Sequence, residues 1–256
     1  VTATARRPPV AWREKFLVEV RRRSVHQRRA LYTLACCLML VGLVAFAVLL
    51  LGVLTHSGVE RPDRPVELWF TQWRQAGTTS VMIVLAVVFG PVGMPILVAV
   101  VLAVWVWRTR HLWRPILLFC GMTAGVVLAQ VLAPIVRHPR PPTALMLFGV
   151  DRTYSFPSGH VLGMSDFFLL LAFLLASRIG RRWVTVVSVL IAIACIAAQV
   201  ISRLYLGYHW LSDVSASIAL SFVIVGVVIA IDTRRTVRVA DEAVTGSLSV
   251  PQRDGT

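Results

Sequence analysis

Two histidines, three arginines and an aspartate stand out in a chain otherwise dominated by Val, Leu, Ile and Ala. His209 and Asp213 lie four apart in ISRLYLGYHWLSD (201–213), so on a helix they share one face, a turn from each other. An aspartate so placed accepts the Nδ1 proton of the imidazole, fixes its tautomer and leaves Nε2 free as a nucleophile. Arg203, six residues before His209, carries a planar fork that suits two phosphate oxygens. In SFPSGH (155–160) a proline and a glycine introduce an apolar run. The backbone N–H groups of Ser158, Gly159 and His160 then point out of a helix N-terminus, where the dipole favours an anion. The Ser158 hydroxyl adds a donor, Gly159 lets the backbone approach closely, and His160 stands where it can protonate a leaving oxygen. RHPRPP (137–142) sets Arg137 and Arg140 on a stiff proline-rich turn. Each stretch alone is ordinary: a capped helix, an anchoring pair, basic residues at a span end. Together they make a phosphate site with a histidine nucleophile and a histidine acid, the electrostatic recipe for phosphoryl transfer without a metal. There is no HExxH, Asp-rich loop or paired-carboxylate motif, so neither metal nor cofactor is expected.

These residues need elements to carry them, and composition says which. The 256-residue chain is 57% hydrophobic with 15% charged residues, which indicates an integral membrane protein. Six apolar stretches, about 30–54, 80–107, 113–136, 160–177, 183–201 and 210–231, approach or exceed the roughly 20 helical residues that cross a bilayer core. The expected fold is all-α: a polytopic six-transmembrane-helix bundle, with Pro91 and Pro95 kinking the second span. The expected organisation is a basic segment 1–29, a six-span membrane domain 30–231 and a polar tail 232–256. The first span is too long for a cleaved signal peptide.

The net charge of +14 matters less than where the charges lie. With the N-terminus inside, 19 of the 26 Lys/Arg flank the cytoplasmic ends and 7 the opposite face. Both termini are therefore expected in the cytoplasm of a bacterial plasma membrane, with Arg140, Ser158, Gly159, His160, Arg203, His209 and Asp213 converging on the extracytoplasmic side. The basic segment WREKFLVEVRRRSVHQRR (12–29) is read as a cytoplasmic arm on anionic lipid, not as a nucleic-acid binder. Val66, Trp69, Phe70 and Trp73 recur at i, i+3, i+4 and i+7, which predicts a short interfacial helix between spans 1 and 2, acting as an aromatic anchor. Cys36, Cys37, Cys120 and Cys195 all fall in apolar runs and are expected to be small core residues.

PSGH at 157–160 and SRLYLGYHWLSD at 202–213, with RP at 140–141, resemble the motifs of the type-2 phosphatidic acid phosphatase superfamily, integral-membrane lipid phosphate phosphatases. The resemblance implies His209 as the nucleophile forming a phosphohistidine, Asp213 orienting it, His160 as general acid, and Arg140, Ser158, Gly159 and Arg203 holding phosphate. One position departs from the pattern. The lysine expected seven residues before Arg140 is Ala133, and Arg137, one helical turn later, is the candidate replacement. His138 is weighed as a phosphate contact or a loop residue, the latter favoured, and Asp166 as a buried acid bonded to a neighbouring helix. The leading expectation is metal-independent hydrolysis of a lipid phosphate or pyrophosphate: polyprenyl diphosphate, phosphatidylglycerol phosphate or phosphatidate. A lipid phosphotransferase using the same phosphohistidine and a non-catalytic polyprenyl-phosphate carrier are the alternatives.

Overall fold

The computed structural model describes residues 19–20, 22–239 and 250–251. The chain is all-helical apart from short strands at its ends. In order, the helices are α1 (Val25–Thr55), α2 (Asp63–Gln72), α3 (Ala76–Val88), α4 (Gly93–Thr109), α5 (Trp113–Val136), α6 (Gly159–Ile179), α7 (Arg182–Tyr205) and α8 (Leu211–Arg234). Five of them (α1, α5, α6, α7 and α8) are long and apolar enough to cross a membrane. α3 and α4 pass the same test as a pair, bent by 56° at the break between Val88 and Gly93, and counted as one span they bring the number to six. GPVGMP therefore does more than kink the second span. It splits the span into helices of 13 and 17 residues, each too short to cross alone.

The ends of α1 show why it starts and stops where it does. Ser24 caps it in a reciprocal box: the Gln27 amide donates to Ser24 Oγ at 3.1 Å and the Ser24 amide to Gln27 Oε1 at 3.2 Å. His56 closes it in the left-handed conformation (φ 49°). At 31 residues the helix is about 46 Å long, well beyond a bilayer core. Residues 25–29, assigned from sequence to the basic segment, belong to this helix. Residues 19–20 and 22–24 of that segment form short strands, and its residues 1–18 and 21 lie outside the described residues.

α6 and α8 form the centre. Half of the α6 window and 61% of the α8 window are buried, against 11–28% for α1, α5 and α7. α8 tolerates enclosure because small residues line it. A β-carbon on Gly42 of α1 would lie 2.5 Å from the Ala219 carbonyl of α8, so this crossing depends on a bare backbone. Ser165, Ser217 and Ser221 are fully buried here, and Ser217 Oγ donates to the Ser158 carbonyl at 3.0 Å. The two helices that begin with the motif residues are thus the most enclosed pair.

At the opposite end β2 (Arg22–Ser24) pairs in parallel with β3 (Val237–Val239), and β1 (Glu19–Val20) pairs with β4 (Val250–Pro251). Both described ends of the chain meet on one side of the bundle, as an even number of crossings requires. α8 runs to Arg234, beyond the tail boundary read from sequence, and Arg28 bonds the Thr236 carbonyl and hydroxyl.

Candidate active site

α5 ends at Arg137, in the left-handed conformation (φ 55°), and Pro139 and Pro141 keep the chain extended beyond it. This turn delivers His138 and Arg140 to the N-termini of α6 and α8. At the other junction, Gly207 (φ +77°) turns the chain between α7 and α8. A β-carbon there would meet the Leu145 carbonyl at 2.4 Å, so only glycine fits.

His209 is buried. Its Nδ1 lies 2.9 Å from the Ser155 carbonyl and 3.5 Å from Asp213 Oδ2. A carbonyl only accepts, so Nδ1 carries the proton and donates to Ser155, and the lone pair stands on Nε2. Arg140 Nη1, which only donates, faces that lone pair at 3.3 Å. The expected tautomer is present, but the nearer acceptor is a backbone carbonyl and Asp213 is the second. Burial lowers the His209 pKa to about 4; the Asp213 hydrogen bond opposes this, and the Arg140 and Arg203 charges add to it.

Asp213 is saturated. Oδ1 lies 2.9 Å from His138 Nδ1 and accepts from Ser155 Oγ at 3.2 Å, while Oδ2 accepts from the Trp210 amide at 2.8 Å. His138 is thus neither an exposed anion contact nor a passive loop residue: it is buried against the carboxylate that faces His209. Its Nε2 stands 3.2 Å from Glu60 Oε1, and exposed His56 Nδ1 lies 3.3 Å from Glu60 Oε2. Carboxylates near both ring nitrogens favour the cationic form of His138. Burial opposes that charge, but the Asp213 hydrogen bond and the charges of Asp213, Glu60 and Asp63 outweigh it and raise the pKa.

Arg140 donates from Nε to the Thr153 carbonyl (3.1 Å), from Nη1 to the Tyr208 carbonyl (2.7 Å) and from Nη2 to Thr153 Oγ1 (2.9 Å). Nη2 also ion-pairs with Asp151 Oδ2 at 2.9 Å. Arg203 is the contrast. Its buried guanidinium stacks 4.6 Å over the Tyr208 ring and makes no hydrogen bond or ion pair among the described residues. Ser158 Oγ is also buried without a partner. The first backbone bond of α6 runs from the Leu162 amide to the Ser158 carbonyl at 2.9 Å, leaving the first-turn amides without intrahelical acceptors. Nothing lies within 4 Å of where a Gly159 β-carbon would be, so an anion can approach this turn.

A cavity of about 370 Å³ opens here, lined by His160, Arg203, Tyr208, Asp151 and the Phe148–Val150 loop on one side and by Ala86, Val87, Pro91 and Val92 on the other. A second, wholly apolar cavity of about 480 Å³ shares Val87 and Val92 with it and runs along α4 past Ile96 and Leu97 to Val100. Val87 and Val92, which flank the break in the span, thus border both cavities.

His160, Arg203, Ser158, Gly159, Arg140, His209 and Asp213 all come to this end of the bundle. Arg137 does not join them: it is exposed, and its Nε donates at 3.0 Å to the Pro134 carbonyl of its own helix. Asp166 lies deeper, fully buried, bonded to Ser221 and packed on the bare backbone of Gly125. Several contributors went unnoticed in the sequence. Ser155 and Tyr208 sit inside the quoted motifs, so proximity was their signal. Glu60, Asp63, Asp151 and Thr153 had none, because partners 11 to 149 positions away define them.

α2 does more than anchor. Trp69 and Trp73 are exposed, but Asp63 is buried and its carboxylate accepts from the Ser212 amide (2.8 Å) and hydroxyl (2.6 Å), capping α8 one residue before Asp213. Arg74 donates to the Tyr205 carbonyl at 3.1 Å and the Gln75 amide to the Tyr205 hydroxyl at 2.8 Å, fixing the end of α7.

Comparison with known proteins bears on the fold and on the α5–α8 sequence. Residues 114–236, from α5 through α8, match the PAP2 superfamily model. The fold is similar to that of a transmembrane PAP2-type phosphatidylglycerolphosphate phosphatase from Bacillus subtilis, with a TM-score of 0.67 at 21% identity, over 78% of this chain and 96% of that one. No curated protein sequence matches. The α5–α8 part of this helical bundle is thus similar to the PAP2 superfamily in sequence, and the bundle is similar in fold to a PAP2-type membrane phosphatase.

Proposed function

We propose that this protein is a metal-independent lipid phosphatase that releases phosphate from a lipid phosphate or pyrophosphate through a phosphohistidine at His209. The observation that carries the reading is a buried imidazole with its Nε2 lone pair exposed to a cation, beside a chamber lined by an unpaired arginine and bordered by an apolar groove. His209 Nε2 attacks phosphorus and the bond to the lipid oxygen breaks on the opposite side. His160 gives its proton to that oxygen. Water then attacks the phosphohistidine and returns a proton to His160, restoring Nε2 and yielding inorganic phosphate. Arg203, Ser158 Oγ, the α6 amides and Arg140 offset the charge on the equatorial oxygens.

The groove along α4 is where we set the acyl or prenyl chain, with the head group in the chamber. Phosphatidylglycerol phosphate, the substrate class named for the similar fold, is one fit; phosphatidate and polyprenyl diphosphate are others. The charge asymmetry favours an extracytoplasmic site in the plasma membrane.

The test is phosphate release from these three lipids by purified protein in excess chelator. Wild type should turn over at least one. His209→Ala should lose all measurable activity, and His160→Ala about 10²- to 10⁴-fold in kcat. Equal release by wild type and His209→Ala would sink the assignment, and label recovered on an acceptor lipid would favour transfer over hydrolysis.

A further inference from the structure

The Phe148–Val150 loop closes one wall of the chamber and is pinned there. The Phe148 amide donates to the Tyr208 hydroxyl at 3.2 Å, and that hydroxyl donates to the Gly149 carbonyl at 2.5 Å. Next in the chain is Asp151, the one acidic residue lining a chamber otherwise furnished for an anion. Oδ1 is held by the Thr153 amide (2.9 Å) and hydroxyl (2.8 Å), and Oδ2 is presented to Arg140 Nη2 at 2.9 Å. A carboxylate against a guanidinium presents its oxygens much as a phosphate does. All three Arg140 nitrogens already have hydrogen-bond or ion-pair partners, whereas among the described residues the Arg203 guanidinium has only the Tyr208 ring. The two arginines of the proposed phosphate site are thus in different states: one open, one capped by a carboxylate.

We propose that Asp151 is an intramolecular competitor for the Arg140 half of the phosphate site, displaced when a phosphate binds and returning to expel inorganic phosphate after hydrolysis. The inference rests on the lipid phosphatase reading and deepens it by naming a residue that sets phosphate affinity. The carboxyl stays ionised across the working range. Burial would raise its pKa, but the two Thr153 donors and the Arg140 charge outweigh that and lower it. A resident carboxylate lowers the affinity of every incoming anion by a common factor. At a bilayer surface crowded with phosphodiester head groups, that keeps weak binders below occupancy while a terminal phosphate dianion, with twice the charge, still enters. The same competition limits product inhibition. Arg203, already open, receives the phosphate first, and Arg140 engages as Asp151 leaves.

The sign of one effect decides the matter. If Asp151 merely braces Arg140, neutralising it loosens the arginine and weakens phosphate binding. If it competes, neutralising it tightens binding. Asp151→Asn keeps the shape and the Thr153 contact, and Asp151→Ser is a second variant should the first fold poorly. Binding of inorganic phosphate and of dimethyl phosphate to the full-length detergent-purified protein is measured by calorimetry, which needs no turnover. Both variants should bind both probes about 3- to 30-fold more tightly than wild type, the range of a partly exposed to well-sheltered ion pair. In the phosphatase assay, inorganic phosphate should inhibit them at correspondingly lower concentration. Unchanged or weaker binding overturns the proposal. Absence of phosphatase activity in wild type, with the variants still binding phosphate more tightly, overturns the function and leaves the competition standing.

Discussion

At the residue scale the site is governed by which acceptor each imidazole nitrogen faces. His209 is neutral because burial and two nearby arginines disfavour its cation, and its Nδ1 proton is directed to Ser155 and Asp213. Nucleophilic attack needs that neutral form. The acid limb of kcat/KM should therefore fall near the His209 pKa of about 4, activity being lost as pH drops through it. Arg140→Ala removes one of the charges that lower this pKa, so the limb should move to higher pH, separately from any loss in rate; an unmoved limb would show that the two groups are not coupled. His138 behaves oppositely. Its pKa is raised above 6.5 in the folded protein, so its stabilisation is complete below 6.5 and is lost as pH rises through the raised value. Thermal unfolding in detergent should show stability declining on that alkaline side, and His138→Gln should flatten the decline. A wild-type profile already flat above pH 6.5 would contradict the bridged cation.

At the element scale, three junctions hold the chemistry: the α5 end, the α7–α8 turn and the start of α6. The interfacial helix α2 serves two of these helices, capping α8 through Asp63 and bracing the α7 terminus through Arg74. A lost cap costs about 1 kcal/mol, which at this chain length is roughly 2–4 °C in Tm. Asp63→Ala should show that drop with a fall in kcat larger than any change in KM, since Asp213 follows the capped Ser212 directly. Full kcat with only a lower Tm would confine Asp63 to a structural role. The break between α3 and α4 matters for a different reason: the residues beside it, Val87 and Val92, line both cavities, so the break borders chamber and groove alike.

At the scale of the whole molecule, an even number of crossings sets both described chain ends on one side and the chamber on the other. In the topology proposed from the basic asymmetry, the first side is cytoplasmic. In a protein with its four cysteines replaced by serine, Ser57→Cys should react with an impermeant maleimide on intact cells, and Arg181→Cys only after permeabilisation. The reverse pattern would invert the topology.

Much of this was readable without coordinates. Span number, the disrupted second span and the short interfacial helix follow from apolar run length, helix-breaking prolines and a stripe at i, i+3, i+4, i+7, which are local properties of the chain. His209 and Asp213 were readable as a pair because they lie four residues apart, about one helical turn, and Arg203 and His160 because each stands at the end of an apolar run. What the sequence could not supply was pairing across the bundle. That Arg137 turns onto its own helix while Arg140 enters the site, that His138 bridges Asp213 and Glu60, and that Asp151 caps one arginine and leaves the other open are settled by contacts between segments far apart in the chain. Periodicity and spacing carry information about neighbours along a helix; only the packing of helices decides which charges meet.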